Sequence, residues 1–231
     1  MIMANSLGAN RYYIGLGLVA LTTLAIQVAM TRLMSLVTWY HLAFFSITLC
    51  MLGMTAGAVR VYLKPKPELD SIARECLKFG LAAAIAVAVI CNVPLQLFNK
   101  DFTISPYFFG ATIILMAPFY FSGAIVAQIL SLPKLPAGRL YGSDLLGASL
   151  GCIVVLVAMT VIDVPSLMLM LGGVAALAGM VFNPQSKAIK IVGGVLVLAA
   201  VANVAMPEPW FHARFSKGER LPPSSVVDVS K

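Results

Sequence analysis

Apolar positions along this chain follow neither a one-faced helical stripe nor an alternating strand pattern. They come in long blocks that are hydrophobic all round, parted by short polar interruptions. A helix apolar on every side belongs in a core or in lipid. The blocks run from about Tyr12 to Leu36, Trp39 to Leu63, Ile72 to Phe98, Ser105 to Leu132, Leu140 to Ile162, Pro165 to Phe182 and Ala188 to Ala205. Crossing a hydrocarbon layer of about 30 Å takes roughly 20 helical residues. Inside hydrocarbon every backbone amide must be satisfied within its own segment, which forces helix. The pattern therefore predicts an all-α, polytopic transmembrane bundle of about seven helices over residues 1–206, with short connections that make neighbours antiparallel. Only the turn between Leu36 and Trp39 is very tight, and one hairpin misread there changes the count. Residues 207–231 are polar, contain Pro222, Pro223, Ser224 and Ser225, and are expected to form a linker or tail. The first block is too long for a signal peptide and no A-x-A-like site follows it.

Composition agrees: 60% of the 231 residues are hydrophobic and 11% charged, and the mean hydropathy is +0.94. Such a chain cannot cover a water-facing surface, nor is it polar enough for disorder. A net charge of +7 suggests nucleic acid only where cations share a surface, whereas here they flank apolar blocks, so no nucleic-acid partner is expected. Arg11, Arg60, Lys64, Lys66, Arg74, Lys78, Lys134, Arg139, Lys187 and Lys190 fall on the side of the N-terminus. Arg32 and Lys100 are the only basic residues between helices on the other. That asymmetry places the N-terminus in the cytoplasm and the chain in an inner (plasma) membrane. Aromatic residues mark the same two interfaces, with Tyr12, Tyr13, Tyr62, Tyr141 and Phe182 inside, and Trp39, Tyr40, Phe98, Phe102 and Trp210 outside. Cys50, Cys76, Cys91 and Cys152 are scattered without a C-x-x-C pair and are expected to be small core residues.

Within the blocks, Gly53 and Gly57 form a G-x-x-x-G, and Ser143, Gly147 and Gly151 a row of small residues. Such rows let helix backbones approach where lipid supplies no drive for association. Ionisable groups in a span cost roughly 2.5–3.5 kcal/mol on insertion scales. Arg60 and Asp144 lie at similar depth on the second and fifth blocks and are expected to neutralise each other as a structural ion pair. Asp144 is also placed near a positive helix N-terminus. Arg32 and His41 are expected to form a polar cluster at the outer face, with Asp101 or Asp163 in reach. His41 and His212 both fall at the outer face, but one lies beyond its helix and no second pair exists, so no haem is expected. Pro118 removes a backbone hydrogen bond in mid-helix and is expected to kink it; interrupted helices line many transporter sites. Residues 15–20 fit the dinucleotide fingerprint G-x-G-x-x-A, but inside an apolar helix that string is a packing feature. No catalytic triad, phosphate loop or metal-ligand cluster is present in the sequence, so no catalytic, cofactor-binding or metal-binding residue is expected.

Three stretches carry a resemblance: residues 25–35 (Ala-Ile-Gln-Val-Ala-Met-Thr-Arg-Leu-Met-Ser), residues 39–47 together with Gly53 to Gly57, and residues 138–151 (Gly-Arg-Leu-Tyr-Gly-Ser-Asp-Leu-Leu-Gly-Ala-Ser-Leu-Gly). Together they resemble the N-terminal multi-pass region of bacterial membrane-embedded spermidine synthase-like proteins, over about the first 160 residues. In that family a soluble domain resembling aminopropyltransferases and methyltransferases follows the membrane region. Its nucleoside loop and acidic catalytic residues have no counterpart here. The resemblance covers Arg32, Tyr141, Asp144, Gly147 and Gly151, and implies for them a mainly structural role. A cytosolic nucleoside cofactor needs its domain inside, whereas seven crossings carry residues 207–231 outside; either the count is off by one or a partner works at the outer face. The expectation is a non-catalytic integral membrane module, an anchor, scaffold or subunit whose partners are the lipid bilayer and other membrane subunits or a separate soluble domain. A small-solute transporter using Pro118, Tyr120, Asp144 and Arg60, and the membrane part of an enzyme whose catalytic domain lies elsewhere, are the alternatives.

Overall fold

The computed structural model describes residues 2–37, 40–64, 69–92, 106–132 and 135–205, with side chains over 10–35, 44–64, 69–92, 109–132 and 135–205. The apolar blocks fold as seven helices among these residues: α1 (Ile2–Val37), α2 (Tyr40–Leu63), α3 (Leu69–Asn92), α4 (Pro106–Leu130), α5 (Ala137–Ala158), α6 (Val164–Phe182) and α7 (Lys187–Ala205). Each is long and apolar enough to cross a membrane, and the protein is an all-α polytopic bundle.

Several ends differ from the hydropathy reading, for local reasons. Helix α3 begins three residues early, because Leu69, Asp70 and Ser71 form a polar first turn ahead of the apolar run. Helix α5 starts at Ala137 behind Pro136 and stops at Ala158, not at Ile162. Residues 159–162 close a turn in which Thr160 N–H donates to the Val157 carbonyl and Val161 N–H to the Ala158 carbonyl. That turn is needed because Asp163 caps the next helix, its Oδ2 accepting from the Ser166 N–H at 3.0 Å, with Pro165 just inside. A cap followed by proline is a strong helix start. Helix α4 runs through Pro118 as one helix, so the proline does not break it.

Chain order does not set the packing order. Helix α5 packs along α1, not on its sequence neighbours, and α4 packs on both α2 and α3. Helix α6 joins α3, α7 and α1, which leaves α1 at the centre of the bundle. The contacts are backbone seams. A Cβ on Gly57 would strike the Tyr120 carbonyl, one on Gly53 would lie 2.8 Å from the Met116 carbonyl, and one on Gly123 would strike Met54. On the other side of α1, Gly147 abuts Gly17 and Gly151 abuts Leu21, while Ser143 Oγ donates to the Tyr13 carbonyl. Both small-residue rows are thus intramolecular seams, on α4 and α1 respectively. The Gly15–Ala20 string is part of this packing, with Gly15 against Phe182 and Gly17 against Ser143. A third seam, Gly80 against Gly172 and Ala176, joins α3 to α6.

Several hydroxyl and amide side chains bond one another between helices, whereas Gln128 Oε1, buried on α4, has no hydrogen-bond partner among the described residues. Thr23 bonds Ser122 between α1 and α4, Thr31 bonds Ser46 at 2.8 Å between α1 and α2, and Asn203 donates to Ser166 at 2.6 Å between α7 and α6. In lipid such bonds contribute about 0.6 kcal/mol each on average. A double-mutant cycle of Thr23→Val and Ser122→Ala is expected to give a coupling of about 0.6 kcal/mol in detergent unfolding. Cys50, Cys76 and Cys91 are buried free thiols and Cys152 is half-buried.

Candidate functional site

The one described carboxylate that is buried belongs to Glu75, 6% exposed, on α3. A carboxylate out of water is costly unless cations and hydrogen bonds replace its hydration. Two cations do so here. Arg60 on α2 donates from Nη2 to Glu75 Oε2 at 2.8 Å, and Lys78, one turn further along α3, donates from Nζ to Oε1 at 3.1 Å.

The geometry of this triad follows from the helix order. Helix α4 lies between α2 and α3, which scarcely touch each other, so the ion pair has to bridge across it. Arg60 does this over the Tyr120 ring, its guanidinium carbon 5.0 Å from the ring centroid. Lys78 sits 5.8 Å above the Phe121 ring, and the two rings meet edge to face at 5.4 Å. Cations over aromatic faces gain about 0.5–2 kcal/mol, more when desolvated. The Gly57–Tyr120 seam lies one turn deeper, and the missing side chain there lets α4 come close enough for Arg60 to reach over it. Arg60 also stands in the last turn of α2, where a cation complements the helix dipole.

Arg60 therefore pairs with Glu75 and not with Asp144, correcting the sequence expectation. Helix α5 is held on the α1 side of the bundle, and among the described residues no cation lies within 4 Å of Asp144. The dipole argument for Asp144 also fails. With α5 starting at Ala137, Asp144 is two turns in, and no acidic residue occupies the first turn, where the effect is confined. Asp144→Asn is accordingly expected to shift stability by no more than about 0.5 kcal/mol, and to add independently to Arg60→Ala when unfolding of the double variant is measured.

The outer-face cluster is half visible. Arg32 is exposed near the end of α1, its backbone carbonyl accepting from Ser35 Oγ at 2.7 Å, and Asp163 is engaged as the α6 cap. The side chain of His41, together with Asp101, His212 and residues 207–231, lies outside the described residues. Pro118 is buried within α4, and of the proposed path residues Arg60 and Tyr120 come together. Among the described residues no three His, Cys, Asp or Glu side chains could share a metal ion.

Sequence reasoning missed Glu75, Lys78, Tyr120 and Phe121 as a unit. One signal pointed to Glu75. Arg60 and Glu75 flank the same short connection (residues 64–68) and sit three and six residues from its helix ends, so a helical hairpin brings them to one level. The aromatic pair had no such signal, because nothing local says that α4 enters between α2 and α3. Compared with known proteins, the chain matches no family model, no curated protein and no solved structure.

Proposed function

We propose that this chain is a non-catalytic integral membrane module, an anchor, scaffold or subunit related to the membrane region of spermidine synthase-like proteins. It sits in a bacterial inner membrane with its N-terminus in the cytoplasm. The observation that carries this reading is the use of the polar groups. Thr23, Ser122, Thr31, Ser46, Ser143, Ser166 and Asn203 bond between helices, and the buried charge of Glu75 is consumed by Arg60 and Lys78. Polar side chains spent on holding helices together serve a rigid frame better than a solute path. The orientation is supported by Arg11, Arg60, Lys64, Arg74, Lys78, Arg139, Lys187 and Lys190, all at the end of the bundle where Tyr12 meets Phe182 and Asn183 meets Asp70. Helix α5 offers a frame's outward face: it buries only Leu140, Gly147, Gly151 and Val155 and exposes Leu146, Leu150 and Val157.

The test reconstitutes the purified chain in lipid vesicles. No polyamine flux above protein-free vesicles is expected, and no aminopropyl or methyl transfer from a nucleoside sulfonium donor. A photocrosslinking residue at Leu150, activated in native membranes, is expected to give a discrete protein adduct. Flux or turnover by the chain alone, or adducts to lipid only, would overturn the proposal.

A further inference from the structure

Beside the charged triad, the surface of α2 is hollowed. A shallow open depression of about 420 Å³ is lined by Ala56, Val59, Arg60, Leu63 and Lys64. Its two halves differ in character. Ala56 and Val59 are apolar and lie deeper along the helix, whereas Arg60 and Lys64 stand one turn apart at the end nearest the basic face. At 1.5 Å per residue the depression extends about 12 Å along the helix axis. That polarity, cation at the membrane surface and apolar floor toward the midplane, matches the direction in which a phospholipid of the same leaflet lies.

Arg60 is prepared for a second partner. One of its five N–H donors is used by Glu75, its side chain remains 34% exposed, and the Tyr120 ring and Glu75 fix its plane. A planar guanidinium held in place loses little freedom on meeting a phosphate. Lys64 is exposed beside it. Arg60, Lys64 and Lys78 together face the single carboxylate of Glu75, and the positive surplus outweighs the half-charge of the α2 carbonyl end.

We propose that α2 binds one anionic phospholipid from the leaflet on the basic side, its phosphate between Arg60 and Lys64 and an acyl chain over Val59 and Ala56. Basic sites between or beside transmembrane helices recognise anionic headgroups in this way. The site does not depend on the scaffold reading, because it needs only the membrane placement of α2 and the charge of its inner turn.

The experiment is native mass spectrometry of the full chain, delipidated in neutral detergent and titrated with dioleoylphosphatidylglycerol or dioleoylphosphatidylcholine. Tighter binding of the glycerol lipid, by about fivefold or more, is expected. Lys64→Gln, at an exposed position outside the ion pair, is expected to weaken the glycerol lipid about fivefold and leave the choline lipid unchanged. Arg60→Gln combined with Glu75→Gln removes the guanidinium without stranding a buried carboxylate, and is expected to lower the preference further. Ala56→Leu fills the apolar floor and should weaken both lipids without altering helicity. Equal affinity for the two lipids, or a preference that survives both charge variants, overturns the site. Displacement of the glycerol lipid by millimolar inorganic phosphate would instead mark a free-anion site and overturn the lipid assignment. Ala56→Leu with glycerol-lipid binding intact would do the same.

Discussion

Substituting Gly57 is expected to be among the most damaging single changes in the bundle. A Cβ there falls on the Tyr120 carbonyl and 2.8 Å from the Ala124 nitrogen. Both obstacles are helix backbone, which has no rotamer to swing away, so α2 and α4 must separate along the seam. Overpacking of this kind costs about 1–3 kcal/mol, and Gly57→Ala is expected to fall in that range. Gly57→Leu is expected to abolish the folded state, since separating α2 from α4 also withdraws Arg60 from Tyr120 and Glu75. Gly142→Ala is the matched control, because nothing lies within 4 Å of a Cβ at that position. Its helix is expected to gain up to about 1 kcal/mol from the better backbone propensity of alanine. Thermal unfolding followed by circular dichroism in neutral detergent, with size-exclusion profiles, distinguishes the two. Equal behaviour of Gly57→Ala and Gly142→Ala would refute the close seam.

The second large effect is an asymmetry within the charged triad. Arg60→Ala leaves Glu75 buried with Lys78 alone, and breaking a buried pair by removing one partner costs about 3–5 kcal/mol. The remaining lysine, half exposed at 50%, holds the expected loss at about 3 kcal/mol, the low end of that range. Glu75→Gln works differently. It frees two cations whose side chains are already 34% and 50% exposed and can extend along the helix surface to the headgroups. Its expected cost is about 1 kcal/mol, the scale of an exposed pair. The double variant Arg60→Ala with Glu75→Gln is expected to be more stable than Arg60→Ala alone, because the stranded charge is gone. Urea or sodium dodecyl sulfate unfolding of the four proteins in one detergent reads all these differences. A double variant less stable than Arg60→Ala would mean that Glu75 is not paired as described.

Both effects arise at one place, where three helices meet. The Gly57–Tyr120 seam sets how close α4 comes, and the triad then clamps α2 and α3 across it. At that place Arg60 pairs with Glu75 inside the protein and keeps 34% of its side chain exposed, the side to which the proposal above assigns a lipid phosphate. Lys64 lies outside the ion pair, so Lys64→Gln is expected to alter lipid preference and leave unfolding unchanged.

Which features could be read before folding depends on the range of the interaction that makes them. Apolar blocks long enough to cross a bilayer are local, and each became a helix because no other backbone can satisfy its amides in hydrocarbon. The small-residue rows were equally written in short strings, and the Asp163 cap with Pro165 is as local, although the sequence reading gave Asp163 to the Arg32 cluster instead. What the strings do not contain is the partner. Gly53 and Gly57 met α4, and Ser143, Gly147 and Gly151 met α1, although nothing within either row distinguishes those surfaces from others. Arg60 had two carboxylates to choose between on comparable depth alone. The choice of Glu75 over Asp144 came from the insertion of α4 between α2 and α3 and the placement of α5 along α1, a packing order that chain order does not encode. Hydrophobic length, a property of single segments facing lipid, determined that seven helices among the described residues are fit to cross a membrane. Close complementarity between backbones, a property of pairs of segments distant in sequence, decided which charges meet.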